Sequence, residues 1–97
     1  MTDTSDAKQE PEVRVPKGKI YVKVYAPFKT YFNGIANNIS ATNETGPFDI
    51  LPGHHNFMTL LIPCNIIVRT DQRQESFVIN RGIMHVKKNQ VIVFLDV

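Results

Sequence analysis

Cys64 and the three histidines, His54, His55 and His85, are the side chains of this 97-residue sequence best suited to covalent or metal chemistry. A thiol attacks as its thiolate, so Cys64 needs a neighbouring base or cation that lowers its pKa. A metal ion needs three or four ligands converging on one point. The spacing provides for neither. No C-x-x-C, H-x-x-x-H or H-E-x-x-H occurs. His54 and His55 are adjacent, and neighbouring side chains of a strand point to opposite faces. The expectation is a polar pair flanking a turn, with one ring at the surface. Cys64 lies within the apolar run Leu60–Val68, where a buried structural thiol is the simpler reading. No metal and no cofactor are expected.

The other routes to chemistry close in the same way. Beyond residue 12 the carboxylates are Glu44, Asp49, Asp71, Glu75 and Asp96, scattered with no pair placed for acid–base work. Gly46 to Gly53 has the wrong spacing for a phosphate loop, and Pro47 and Pro52 remove donors that a phosphate would need. Asn38-Ile-Ser40 and Asn43-Glu-Thr45 match the glycosylation sequon, but no secretory signal accompanies them. Tyr21, Tyr25, Phe28, Tyr31 and Phe32 interleave with Lys19, Lys23 and Lys29. That is a conceivable single-strand platform, set against an ordinary sandwich face with edge lysines. What remains is a non-enzymatic interaction module.

The elements that position these residues read as strands. Composition is ordinary for a globular domain, with 42% apolar and 21% charged residues. One cysteine excludes an internal disulfide. Net charge is +2 but uneven: the first twelve residues hold four of nine acidic and one of eleven basic side chains, leaving ten basic against five acidic. Residues 1–19 are polar, lack periodicity and contain Pro11, Pro16 and Gly18, so they are expected to form a disordered arm. Residues 20–97 form the domain. Ile20, Val22 and Val24 alternate with Tyr21, Lys23 and Tyr25, the period of a half-buried strand. A second strand is expected over Ile35–Thr42 after a turn at Asn33-Gly34, and another turn at Gly46-Pro47. Phe57–Thr70 is strand-rich and broken at Pro63. Three further strands are expected over Ser76–Asn80, Ile83–Lys87 and Gln90–Val97. Val91–Leu95 is apolar on both faces and must be covered on both, by two sheets or by a partner. The class is all-β: a small sandwich or flattened barrel of about eight to ten short strands. Ile50–Val68 is uncharged and long enough to raise the question of a membrane helix, but its prolines, Gly53 and polar residues exclude one.

Several motifs, taken together, give the chain a family likeness. Phe32-Asn-Gly34, Ile39–Gly46, Ile50-Leu-Pro-Gly-His54, Thr59–Pro63, Phe77–Val86 and Asn89–Asp96 follow in order with almost no gaps. In that order the stretch from Tyr25 to Val97 resembles the N-terminal sandwich domain of the epsilon subunit of the rotary F-type ATP synthase. The apolar-x-Pro-Gly-His piece is the most specific. The positions matching the family's structural motif are Gly34, Gly46, Pro52, Gly53, His54, Pro63 and Gly82.

The resemblance implies a non-catalytic rotor subunit that couples the gamma shaft to the c ring during proton-driven synthesis. It would meet the alpha and beta subunits only indirectly, bind no nucleic acid, and sit at the cytoplasmic face of the membrane through the complex alone. It places Ala26, His54 and Thr59 toward gamma, and Thr45, Gly46, Pro47 and Phe48 toward the c ring. His54 has a second reading, as a turn residue that fixes local structure. Departures from the family pattern are Asp49 and Cys64 where glycine is common, Arg81 where a small residue is common, and Pro47 where an acid is common. The family continues with a C-terminal helical hairpin carrying ATP-binding and inhibitory roles. This sequence stops at Val97, so the expectation is either a short form without those roles or a fragment from which the hairpin has been removed. An unrelated peptide- or nucleic-acid-binding sandwich is the alternative.

Overall fold

The computed structural model describes residues 14–96. They form nine strands and no helix. One sheet has the order β2 (Lys29–Ala36), β1 (Ile20–Ala26), β9 (Gln90–Leu95), β8 (Gly82–Lys87), β5 (Phe57–Leu61). The other has the order β4 (Gly46–Ile50), β3 (Asn38–Asn43), β6 (Cys64–Arg69), β7 (Gln74–Ile79). Of the expected arm over residues 1–19, residues 1–13 lie outside the described residues. The uncharged run Ile50–Val68 holds the end of β4, then β5 and most of β6, which lie in different sheets.

Alternation builds the core. Ile20, Val22, Val24 and Ala26 are buried on β1, and Val91, Val93 and Leu95 on β9. Met84 and Val86 of β8 join them, and Ile39, Ala41, Ile66, Val68 and Ile79 face them from the second sheet. Every buried side chain among the described residues is apolar. Burying such a layer removes apolar surface from water at about 25 cal/mol per Å².

Two expectations need correcting. Asn33-Gly34 is no turn. The chain turns at Pro27-Phe28, and β2 runs on through Gly34, which pairs with Val22. Proline fixes φ for the first turn position, which outweighed the Asn-Gly signal. The expected strand Ile35–Thr42 therefore splits at Asn37, where the chain crosses from one sheet to the other. The second turn falls at Glu44-Thr45, one residue before Gly46, whose φ of +125° only glycine adopts readily.

Where β2 pairs with β1 the register shifts between Val24 and Tyr25, leaving Tyr31 as an extra residue. Its ring packs edge-on against Phe77 of β7, 5.9 Å between centroids, closing the gap between the sheets. At the opposite end of β1 Lys19 follows a turn from Pro16 and donates to Asn37 and Asp71, the latter at 2.6 Å. The Asn37 amide donates to the same Asp71 oxygen at 3.0 Å. Lys19, expected at the end of the arm, is thus tied to the β6–β7 turn.

Gly82 faces the core where β8 meets β9. A Cβ there would lie 2.7 Å from the Phe94 carbonyl oxygen and 3.0 Å from a Leu95 methyl. Gly82→Ala should cost about 1–3 kcal/mol in urea unfolding, as an overpacked site does. Gly34→Ala, whose new methyl would meet nothing closer than 3.8 Å, should cost less. Equal costs would contradict the packing argument.

The hydrogen bond from Lys19, then that from Asn37, then the charge of Lys19, hold the Asp71 carboxyl below its ordinary range. A carboxyl with a depressed folded pKa adds stability above its unfolded value, near 3.9, and loses it as pH falls through the lower folded value. The stability gap between wild type and Asp71→Asn should therefore be full at neutral pH and close below about pH 4. A gap that is independent of pH would contradict the contact.

Candidate functional site

Strands with one face in the core must show the other. On the four-stranded sheet that outer face is mostly polar, with Ile67 and the exposed Val78 among its hydroxyl, amide and charged groups. Asp49, Ser40, Ile67 and Ser76 form one outward row. The Ser40 hydroxyl donates to Asp49, and Arg69 donates to Asn38 and Ser40 at 2.8 and 2.7 Å.

The five-stranded sheet differs. Leu60, Ile83, Phe94 and Tyr25 are cross-strand neighbours in one outward row spanning β5, β8, β9 and β1. Leu60 is 68% exposed, Ile83 44% and Phe94 38%. Tyr25 and Phe94 pack edge to face at 5.1 Å. The next outward row is Met58, His85, Ile92 and Lys23, with Met58 exposed. A groove of about 630 Å³ opens beside this row, between Leu60, Pro63, Ile83 and Phe94, with Glu44, Arg81 and Asp96 at its rim. Contiguous exposed apolar surface of this kind marks a docking face.

The residues expected to face gamma are not one cluster. Ala26 is buried at 5% exposure. Thr59 points inward beside Met84, half-buried, and its hydroxyl accepts from Asn43 at 3.1 Å. β1 and β5 are three strand spacings apart, about 14 Å. The outward neighbours of these two residues are Tyr25, Met58 and Leu60. The pleat makes the difference of one position.

His54 lies in the loop between β4 and β5, not in a strand. Its ring therefore stacks on His55, 4.6 Å apart, instead of pointing to the opposite face. Its Nδ1 donates to the His55 carbonyl at 2.8 Å, and Phe57 lies 5.5 Å away. Gly53, at φ +85°, donates to the Asn89 side chain, and Lys88 donates to that of Asn56. These two bonds pin the Pro52–Asn56 loop to the β8–β9 turn.

The Thr45–Phe48 segment is shaped from within. The Asn43 carboxamide oxygen accepts from both the amide and hydroxyl of Thr45. Pro47 is exposed, whereas Phe48 packs against the core and edge-on against Phe57. The carboxylate of this turn is Glu44, which borders the groove.

Cys64 is half-buried at the start of β6, its sulfur 4.0 Å from the Thr42 carbonyl. His85 faces outward on the other sheet. Among the described residues no three His, Cys, Asp or Glu side chains come together as a metal site would require. The aromatic platform is also divided. Phe32 is buried, Tyr31 packs on Phe77, and Phe28 projects alone from a turn.

The outward row is not legible as a unit because Leu60, Ile83 and Phe94 read as core, while Tyr25 reads only as part of an aromatic platform. One signal was present: Ile92 and Phe94 make β9 apolar on both faces, and only one of those faces is covered.

Residues 19–97 match the family described as ATP synthase, Delta/Epsilon chain, beta-sandwich domain. The ATP synthase epsilon chain of Clostridium novyi is 32% identical over 76 residues, covering 77% of this chain and 58% of that protein. That of Sulfurimonas denitrificans is 32% identical over 79 residues, covering 80% and 61%. The chain thus spans little more than half the length of these curated relatives. A chain in the cryo-EM structure of Euglena gracilis mitochondrial ATP synthase, OSCP/F1/c-ring, shares the fold with TM-score 0.78 at 18% identity, over 98% of this chain and 64% of that one. A chain in the Tetrahymena thermophila mitochondrial ATP synthase central stalk and c-ring gives 0.70 at 17% identity, over 86% and 66%. Sequence and fold agree: the chain belongs to the ATP synthase delta/epsilon family, whose β-sandwich domain it carries.

Proposed function

We propose that this chain serves as a non-catalytic central-stalk subunit of an F-type ATP synthase, coupling the gamma shaft to the c ring during proton-driven ATP synthesis. Family membership supports the reading, and the exposed row Leu60–Ile83–Phe94–Tyr25 carries it in the structure. A rotor part has to grip its shaft by a face that does not shear. Four of the five strands contribute to this row, and each is locked to its neighbours by ladder hydrogen bonds. Load applied there spreads through the sheet into the shared core.

The gamma contact uses the outward residues beside Ala26 and Thr59, with His54 and its pinned loop at the margin. The Thr45–Phe48 turn approaches the c ring. Pro47 gives it a stiff exposed edge, and Glu44 supplies the carboxylate that position 47 lacks. Phe48 anchors the turn from inside. The chain would reach the cytoplasmic face of the cell membrane through these contacts. A single-strand-binding module is disfavoured by the division of the aromatic residues between core, turn and outer face.

The test is capture of tagged full chain from a membrane extract of its own source, with mass spectrometry of what is bound. Wild type and Ser76→Asp, on the polar outer face, should retain gamma with alpha and beta. Ile83→Asp should lose them, because a charge buried at the centre of an apolar contact costs about 2 kcal/mol or more. A folded wild-type chain that recovers no ATP synthase subunit would overturn the reading. Retention by folded Ile83→Asp would move the contact elsewhere.

A further inference from the structure

The outer face of the five-stranded sheet is graded along the strands. Its first row, Leu60, Ile83, Phe94 and Tyr25, is uncharged. Its second row sets His85 and Lys23 between Met58 and Ile92. Its third row brings Lys87 beside Gln90 and Tyr21, and Lys88 follows in the turn at positive φ. No acidic residue occupies any of the three rows. Past the opposite end Glu44 and Asp96 border the groove, Asp96 pairing with Arg81 at 3.3 Å, whereas the acid nearest the third row, Asp71, is bound to Lys19 at 2.6 Å. Lys23, Lys87 and Lys88 form no ion pair among the described residues. The Lys23 ammonium instead lies 4.8 Å from the centre of the Tyr25 ring, which holds it over the face.

We infer that the protein surface seated on this sheet is graded to match: apolar side chains over Leu60, Ile83, Phe94 and Tyr25, and carboxylates over Lys23, His85 and Lys87. This rests on the reading that the face docks the gamma subunit, and it specifies the chemistry of the gamma segment that does so. The two zones have different tasks. The apolar row supplies the desolvated centre that dominates binding energy. The basic rows act at longer range, speed the encounter and fix its direction. A partner seated the wrong way round would leave its carboxylates against Glu44 and Asp96, and like charges across a contact are strongly disfavoured. The grading therefore selects one of two otherwise equivalent orientations along the strands, as a shaft clamp requires.

The experiment titrates full-length chain with recombinant gamma subunit from the same source between about 50 and 500 mM salt, a range over which the screening length falls several-fold. Wild type should weaken as salt rises. Lys23→Glu with Lys87→Glu should bind about tenfold more weakly at low salt, have a flattened salt dependence, and converge on wild type at high salt. The neutral double variant K23Q/K87Q should fall between. Ile83→Asp should lose about thirtyfold or more at every salt concentration. Circular dichroism confirms that each variant is folded. If Ile83→Asp fails to bind while the charge-reversed variant keeps the wild-type salt slope, the graded partner is wrong and the docking reading stands. If wild type does not bind gamma, both fail. If the lysine variants lose only binding to phosphatidylserine vesicles, the basic rows serve a lipid surface and the inference is overturned.

Discussion

Strand alternation against one shared apolar layer is the constraint on which the rest of the structure depends. Val22 and Val24, Val91 and Val93, and Met84 and Val86 fill the inner face of one sheet, and Ile39, Ile66 and Val68 answer from the other. No polar side chain among the described residues is fully buried in that layer, Thr59 reaching only its margin. Because the side-chain period is two, fixing the inner face fixes the outer one. A slip of one residue on β9 would turn Ile92 and Phe94 inward and expel Val91, Val93 and Leu95. The register that buries the core therefore also lays Leu60, Ile83, Phe94 and Tyr25 across the exposed side of the five-stranded sheet.

The two outer faces then differ in chemistry. The four-stranded sheet shows hydroxyl and amide groups that satisfy one another, with Ser40 joined to both Asp49 and Arg69. Such a surface is content in water. The five-stranded sheet shows side chains that gain by being covered. Two brackets hold the end of the sandwich at which β1 and β9 begin. Asn56 and Asn89 tie the Pro52–Asn56 loop to the β8–β9 turn, and Lys19, Asn37 and Asp71 join the entry to β1, the crossing to the second sheet and the β6–β7 turn.

Much of this was legible in the sequence. The Ile20–Val24 alternation, the break at Pro63 and the final strands all follow from period and punctuation. The family likeness carried by Ile50-Leu-Pro-Gly-His54 and its neighbours places the chain in its family as well. The Asn33-Gly34 turn misled because the Pro27-Phe28 turn lies outside the span the alternation made obvious, and Gly34 is an ordinary strand residue. The direction in which Ala26 and Thr59 point was illegible for a related reason. Both turn inward while Tyr25, Met58 and Leu60 beside them turn outward, and a sequence position does not say which way the pleat turns it. Cross-strand neighbours were the part sequence could not supply. Leu60, Ile83, Phe94 and Tyr25 lie far apart in the chain and become one row only through the pairing of β5, β8, β9 and β1.

The central claim is that the outer face of the five-stranded sheet is the covered face in the assembled enzyme. A cryo-EM map of the intact ATP synthase from the source of this chain tests it most directly. The account predicts protein density from the central shaft over Leu60, Ile83, Phe94 and Tyr25, with the Asp49–Ser40–Ser76 face open to solvent. A map in which that row is bare, and the polar face is the one engaged, would contradict it.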